Sequence, residues 1–227
     1  MNKHILLATV ATFASLTLAT AATASTYTGW YGSAELGLNI ASDEDGVNDT
    51  IDTTFAGYTN TAEWDAGWAI LGAVGYSFGN IRTELELGYR ANDMDNFFVV
   101  GSGANTEGGD ISHFTVMANA LYDHKITDDY EVSVGAGLGF DNINYDNTAG
   151  FHSSPTLKDS DTFFAWQLIL GVSRPMPSWG GEVFLNYRYT QTEDVSFREI
   201  EVSDGDLHND DYDNLSNHLI SVGLRFQ

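Results

Sequence analysis

From residue 27 to its end the sequence repeats with a period of two. In 130–142, Tyr130, Val132, Val134, Ala136, Leu138 and Phe140 occupy one set of alternate positions. Glu131, Ser133, Gly135, Gly137, Gly139 and Asp141 occupy the other. A helix would mix the two sets, whereas a strand sends them to opposite faces. The pattern recurs in eight segments of about 12 to 14 residues: 27–40, 66–78, 81–92, 111–123, 130–142, 162–174, 181–193 and 214–226. With 23 glycines, 13% aromatics and only three prolines, the composition suits an all-β barrel in a single domain.

The links between segments alternate in length. Gly79-Asn80, His124–Asp129 and Pro175–Gly180 are short, and Gly79-Asn80 is a two-residue hairpin signal. The links 41–65, 93–110, 143–161 and 194–213 are long. Long links on one end only are unusual in a soluble domain. They are usual in an up-and-down transmembrane barrel, which has short periplasmic turns and longer extracellular loops. A strand of ~13 residues rises ~43 Å, and a tilt of ~45° leaves ~30 Å along the membrane normal. Trp30, Trp68, Tyr76, Phe78, Tyr122, Tyr130, Phe140, Tyr187 and Tyr189 fall near segment ends, as membrane-interface aromatics do.

Charge narrows the function. The formal net charge is −23, from 32 acids against nine Lys and Arg. Nucleic-acid binding needs basic surface and is excluded. Without cysteine there is no disulfide and no thiolate metal site. The first residues, MNKHILLATVATFASLTLATAATA, combine Lys3, an apolar run from Ile5 and the small-x-small site Ala22-Thr23-Ala24. They read as a signal peptide over 1–24, cleaved after Ala24, with the barrel domain over 25–227. No later stretch is long and apolar enough for a helical membrane span.

Alternation assigns the inward face. Glu35, Arg82, Glu84, Glu86, Arg90, Glu131, Gln167, Glu182, Asn186, Arg188 and Arg225 point to the lumen, which holds four of the nine basic residues. Facing lipid at mid-depth, an Arg or Lys would cost ~2–4 kcal/mol. Facing one another in a narrow lumen, the arginines Arg82, Arg90, Arg188 and Arg225 are expected to pair with Glu35, Glu84, Glu86, Glu131 and Glu182 as a plug. Gly135, Gly137 and Gly139 are expected to give the long arginines room.

Particular stretches resemble a known family. GWYGSAELGLN is similar to the first strand of OmpA-like eight-stranded outer-membrane barrels. FFAWQLILGVSRPM followed by EVFLNYRYTQT resembles the sixth and seventh strands of the Omp25/Omp31-type surface proteins of alphaproteobacteria. The resemblance covers most of 27–227. It implies a Gram-negative outer-membrane barrel inserted by the barrel-assembly machinery, with structural, surface-interaction or minor pore roles. Such barrels end in an aromatic that the machinery reads, after outward apolar residues. Ile220, Val222, Leu224 and Phe226 fit that assembly signal, and Gln227 departs from it by one residue.

Other chemistry has plainer readings beside it. The long links carry 22 of the 32 acids, with only Lys158 and Arg198 among them. That suits a solvated surface, and SDEDGVND and SDGDLHNDD also offer clustered oxygens to Ca²⁺, though neither has the full calcium-loop pattern. No paired-histidine zinc motif occurs. His218 with Ser216 on the outward face is the candidate for a lipid-modifying hydrolase, without a clear acid to orient the histidine. Glu84 and Glu86 beside Arg82 and Arg90 read as salt-bridge partners before they read as an acid–base pair.

The sequence thus predicts a monomeric, all-β, eight-stranded antiparallel transmembrane barrel with four long acidic extracellular loops. Its expected role is structural and surface-exposed, non-enzymatic, without cofactor, and with at most a narrow ion path. Its expected partners are outer-membrane lipid, lipopolysaccharide and the assembly machinery. A surface adhesin or receptor using the acidic loops is the alternative, then a lipid-modifying outer-membrane hydrolase, and more distantly a soluble lipocalin-like barrel.

Overall fold

The computed structural model describes residues 27–42, 44–47, 59–99, 105–106, 110–147, 157–178, 180–193, 195–200, 207–212 and 215–227. The expected signal peptide and its cleavage site lie outside the described residues.

Thirteen strands follow one another: β1 Thr28–Ala41, β2 Glu44–Val47, β3 Thr59–Trp64, β4 Gly67–Phe78, β5 Ile81–Val99, β6 Asn105–Thr106, β7 Asp110–Lys125, β8 Glu131–Asn147, β9 Leu157–Met176, β10 Gly181–Thr192, β11 Val195–Ile200, β12 Leu207–Tyr212 and β13 Leu215–Phe226. Eight of them, β1, β4, β5, β7, β8, β9, β10 and β13, pair with their sequence neighbours antiparallel. The ring is closed by β1 against β13, from Gly32↔Phe226 to Ala41↔Asn217. Closure leaves no free edge along the membrane-spanning wall, the condition for crossing lipid with strands.

Why the wall faces lipid is visible in β4. Ala69, Leu71, Ala73 and Ser77 are buried, while Trp68, Ile70, Val74 and Phe78 are exposed. Large apolar side chains face outward likewise at Leu85, Leu87, Leu138, Leu168, Leu170, Leu185, Val222 and Leu224, while Glu84, Glu86, Gln167, Asn186 and Ser221 on the same strands are buried inside. Aromatic pairs mark two levels of the outer wall: Trp30 with Tyr76 at 5.4 Å toward the short turns, and Trp68 with Tyr89 at 5.5 Å toward the long links. The turn at Gly79-Asn80 needs its glycine, whose φ is +101°.

The strands extend further than the sequence periodicity marks. β5 runs to Val99, β8 to Asn147, and β9 starts at Leu157. The long links are not only loops. β2 pairs with β3, β3 with the far end of β5, and β11 with β12. A single bridge, Asp211↔Val47, joins the links 194–213 and 41–65. Alternation is weak in these acidic segments, so their strands depend on backbone pairing with neighbours that the sequence does not identify.

Candidate functional site

The lumen is the site at which unusual chemistry converges. Because inward positions alternate, each strand delivers polar side chains to one axis at two-residue intervals. Glu35, Arg82, Glu84, Glu86, Arg90, Gln167, Glu182, Asn186, Arg188 and Arg225 are all buried there, whereas Glu131 is only partly covered.

Toward the short turns, Arg225 meets Glu182 at 2.6 Å and lies 4.9 Å from the Phe184 ring centre. Arg82 Nε donates to Asp123 at 2.7 Å, and Asp123 also accepts from the Ser133 hydroxyl at 2.7 Å. Arg82 Nη1 lies 3.4 Å from Glu84, which accepts from the Tyr31 hydroxyl at 2.8 Å. At mid-height, Arg188 donates to both oxygens of Glu35 at 2.6 Å and to Glu86 at 2.9 Å. Glu35 accepts from Ser221 as well, at 2.7 Å. The Asn119 amide reaches both Glu84 and Glu86, at 3.2 and 3.3 Å, and Gln167 donates to Glu86 at 3.2 Å. Nearer the long links, His113 Nδ1 and Asp141 are 2.9 Å apart. The Asn39 amide donates to Asn92 and Asn217 at 2.7 and 2.9 Å.

A buried charge is tolerated when paired and hydrogen-bonded, and costs several kcal/mol when it is not. Glu35, Glu84, Glu86, Asp123 and Glu182 satisfy that condition by ion pairs to arginine. Two expected pairings do not form. Arg90 makes no ion pair among the described residues; its one hydrogen bond, at 3.3 Å, is to Thr190. Glu131 makes none either, because its strand position puts it at the mouth beside Lys125, which turns to Asp128 at 3.1 Å.

The glycines act differently from expectation. A Cβ at Gly137 would lie 1.9 Å from Asn119 Oδ1, at Gly139 2.7 Å from Met117 Sδ, and at Gly135 2.6 Å from Leu121 Cγ. They make room for β7 side chains, not for arginines, because directly cross-strand neighbours claim the space first.

Tyr31, His113, Asn119, Asp123, Asp141 and Ser221 belong to the network and were absent from the sequence-derived set. Their parity within their strands was a readable signal for all six. The lumen is also partly apolar: Leu71, Met117, Leu121, Ile169, Phe184 and Leu219 are buried inside it. The interior is packed by side chains, as a barrel of eight strands permits.

On the outer wall, His218 Nδ1 and the Tyr187 hydroxyl are 2.8 Å apart, and Ser216 donates to the Ser42 hydroxyl at 2.8 Å. The two candidate hydrolase groups are engaged elsewhere and not with each other. Ile220, Val222, Leu224 and Phe226 are exposed on this wall. Among the described residues no cluster of three or more His, Asp or Glu is arranged to hold a metal. Apart from Ser42, the side chains of the two calcium-like stretches lie outside the described residues.

The comparisons agree with this architecture. OprG, an outer membrane protein from Pseudomonas aeruginosa, superposes with a TM-score of 0.57 at 13% identity, over 89% of this chain and 98% of that one. Neisserial surface protein A superposes at 0.55 with 17% identity, over 90% and 98%. An "Outer membrane protein" of Gluconacetobacter diazotrophicus is 29% identical over 177 residues, 71% of this chain. This chain spans about half the length of that curated relative, 47%. The family model described as "Outer membrane protein beta-barrel domain" matches residues 8–226. A closed wall with apolar residues outward and charges inward, together with a family match over nearly the whole chain, places the protein in the outer-membrane β-barrel family.

Proposed function

We propose that the protein is a surface receptor or adhesin, with the barrel as its anchor and the acidic extracellular segments as its contact surface. One observation carries this reading: side chains fill the lumen, while the long links build a second sheet above it. β2, β3, the end of β5, β11 and β12 form that sheet, joined across two links by Asp211↔Val47. Conserving a transport path would require an open lumen; presenting a surface requires a rigid base and ordered links.

The finer assignments belong to the same reading. The resemblance of the first, sixth and seventh barrel strands supports placement among OmpA-like and Omp25/Omp31-type barrels. The protein acts as a monomer, without enzymatic activity, and is inserted by the assembly machinery through Ile220, Val222, Leu224 and Phe226. The packed interior supports the companion view that at most a narrow ion path exists.

The test replaces 44–62 and 195–212, separately, by short turns. Each variant is checked for outer-membrane insertion by heat-modifiable mobility. Cells carrying it are then assayed for attachment to matrix-coated and host-cell surfaces and for phage adsorption. Loss of attachment or adsorption with retained insertion supports the reading. Wild-type cells that attach and adsorb no better than cells lacking the protein overturn it.

A further inference from the structure

The wall is closed where it spans the membrane, but above that level one strand is paired on a single side. The ladder between β9 and β10 ends at Thr192↔Ala165. One further bond follows it, from Glu193 N to the Phe164 carbonyl at 3.0 Å. The chain then resumes as β11, which pairs with β12 along its full length, from Val195↔Tyr212 to Ile200↔Leu207. Among the described residues no ladder forms on the other edge of β11, and β11 stands at the end of the strand order. On the far side of this seam β9 continues beside β8 as far as Asn147↔Leu157. Each bank of the seam is thus held from behind by a paired neighbour.

A strand points the N–H and C=O of every second residue to the same edge. About three of the six residues of β11 therefore offer a donor and an acceptor on the side away from β12. Proline, a bulge or a very short strand would blunt such an edge. Val195–Ile200 contains no proline and pairs with β12 without a shift of register. An edge of this kind is what an extended peptide needs in order to add as a further strand.

Charge selects the occupant. The links that border the seam, 143–161 and 194–213, carry eleven acids against Lys158 and Arg198. A second copy of this chain would bring the same eleven acids and be repelled. A basic segment is attracted, and its approach is steered by the field of the links.

We propose that β11 receives a basic, extended segment of a partner protein as an added strand along the edge of Val195–Ile200 opposite β12. The inference rests on the surface-receptor reading and names the class of partner. Main-chain bonds to β11 hold the segment, and the acids of the two links choose it by charge.

The test uses the protein folded in lipid nanodiscs and a short synthetic peptide of alternating lysine and threonine. Its comparator is the same peptide N-methylated at every residue, which keeps the charge and loses every backbone donor. The unmodified peptide should bind at least ~10-fold more tightly, since that factor corresponds to only one or two net backbone bonds. Its binding should slow amide exchange within 195–200. Equal affinities would show that charge alone acts, and no binding, or protection confined to other segments, would equally overturn the proposal. A free protein that is already dimeric, with 195–200 protected, would give the edge to a second copy instead. Cells whose wild-type protein supports attachment, while the peptide leaves β11 unprotected, would remove this inference and leave the receptor reading standing. Strand addition without attachment or adsorption would do the reverse.

Discussion

Arg188 on β10 holds both carboxylate oxygens of Glu35 on β1 at 2.6 Å, across the intervening β13. The same guanidinium reaches Glu86 on β5 at 2.9 Å. One side chain thus ties together three strands that are not neighbours, and it does so where the barrel closes on itself.

Arg188→Met should therefore be among the most damaging single changes in the wall. It leaves Glu35 and Glu86 buried without their cation, and breaking a buried pair from one side costs ~3–5 kcal/mol. Glu35→Gln should cost less, because the amide still accepts hydrogen bonds and a carboxylate partner, Glu86, remains for Arg188. Urea unfolding of the protein refolded in lipid vesicles measures both. An Arg188→Met barrel as stable as wild type would show that this pair does not hold the closure.

The filled lumen sets the conductance. Wild-type protein in planar bilayers should conduct far less than wide porins do. Arg188→Ala either raises the conductance, if water fills the space and hydrates the freed carboxylates, or leaves a barrel that no longer resists heat. Wide-porin conductance in the wild type would show that the interior is open, and a variant unchanged in both properties would show that Arg188 does not seal it.

Gly75→Ala should destabilise the end of the barrel near the short turns. The added Cβ would sit 2.4 Å from the Tyr31 ring and 2.6 Å from the Thr83 carbonyl, so backbone as well as side chain must shift. Overpacking of this kind costs ~1–3 kcal/mol. It would also push the Tyr31 hydroxyl off Glu84. Gly72→Ala is the control, since its nearest neighbour, the Ser33 carbonyl, would be at an ordinary 3.7 Å. Equal thermal midpoints for the two variants would contradict the argument.

Phe226→Ala should lower the fraction of protein that folds in cells. Phe226 lies on the outward face at the end of β13, paired in register with Gly32 and Gly181. The readout is the heat-modifiable band on gels of outer membranes, compared with refolding of the purified chain in detergent. A defect in cells with normal refolding in vitro marks a recognition signal; equal loss in both marks a purely structural residue. Normal assembly in cells would remove Phe226 from the signal.

The number and order of the barrel strands were legible because lipid enforces a rule at every second residue. A residue such as Leu138 or Val222 must be apolar, and its neighbours Gly137 and Gly223 must face inward. That local rule also fixed which charges enter the lumen. It could not fix who meets whom there. Arg90 and Arg188 share the same parity and charge, yet only Arg188 finds carboxylates, because strand tilt and register decide which inward side chains reach the same height. Register also decided that β7 side chains fill the space at Gly135, Gly137 and Gly139. In the acidic links the sequence carries no sustained alternation of apolar and polar residues. There the strands appear in the backbone pairing, local in β2–β3 and β11–β12 and long-range in the bridge Asp211↔Val47, which tertiary structure decides.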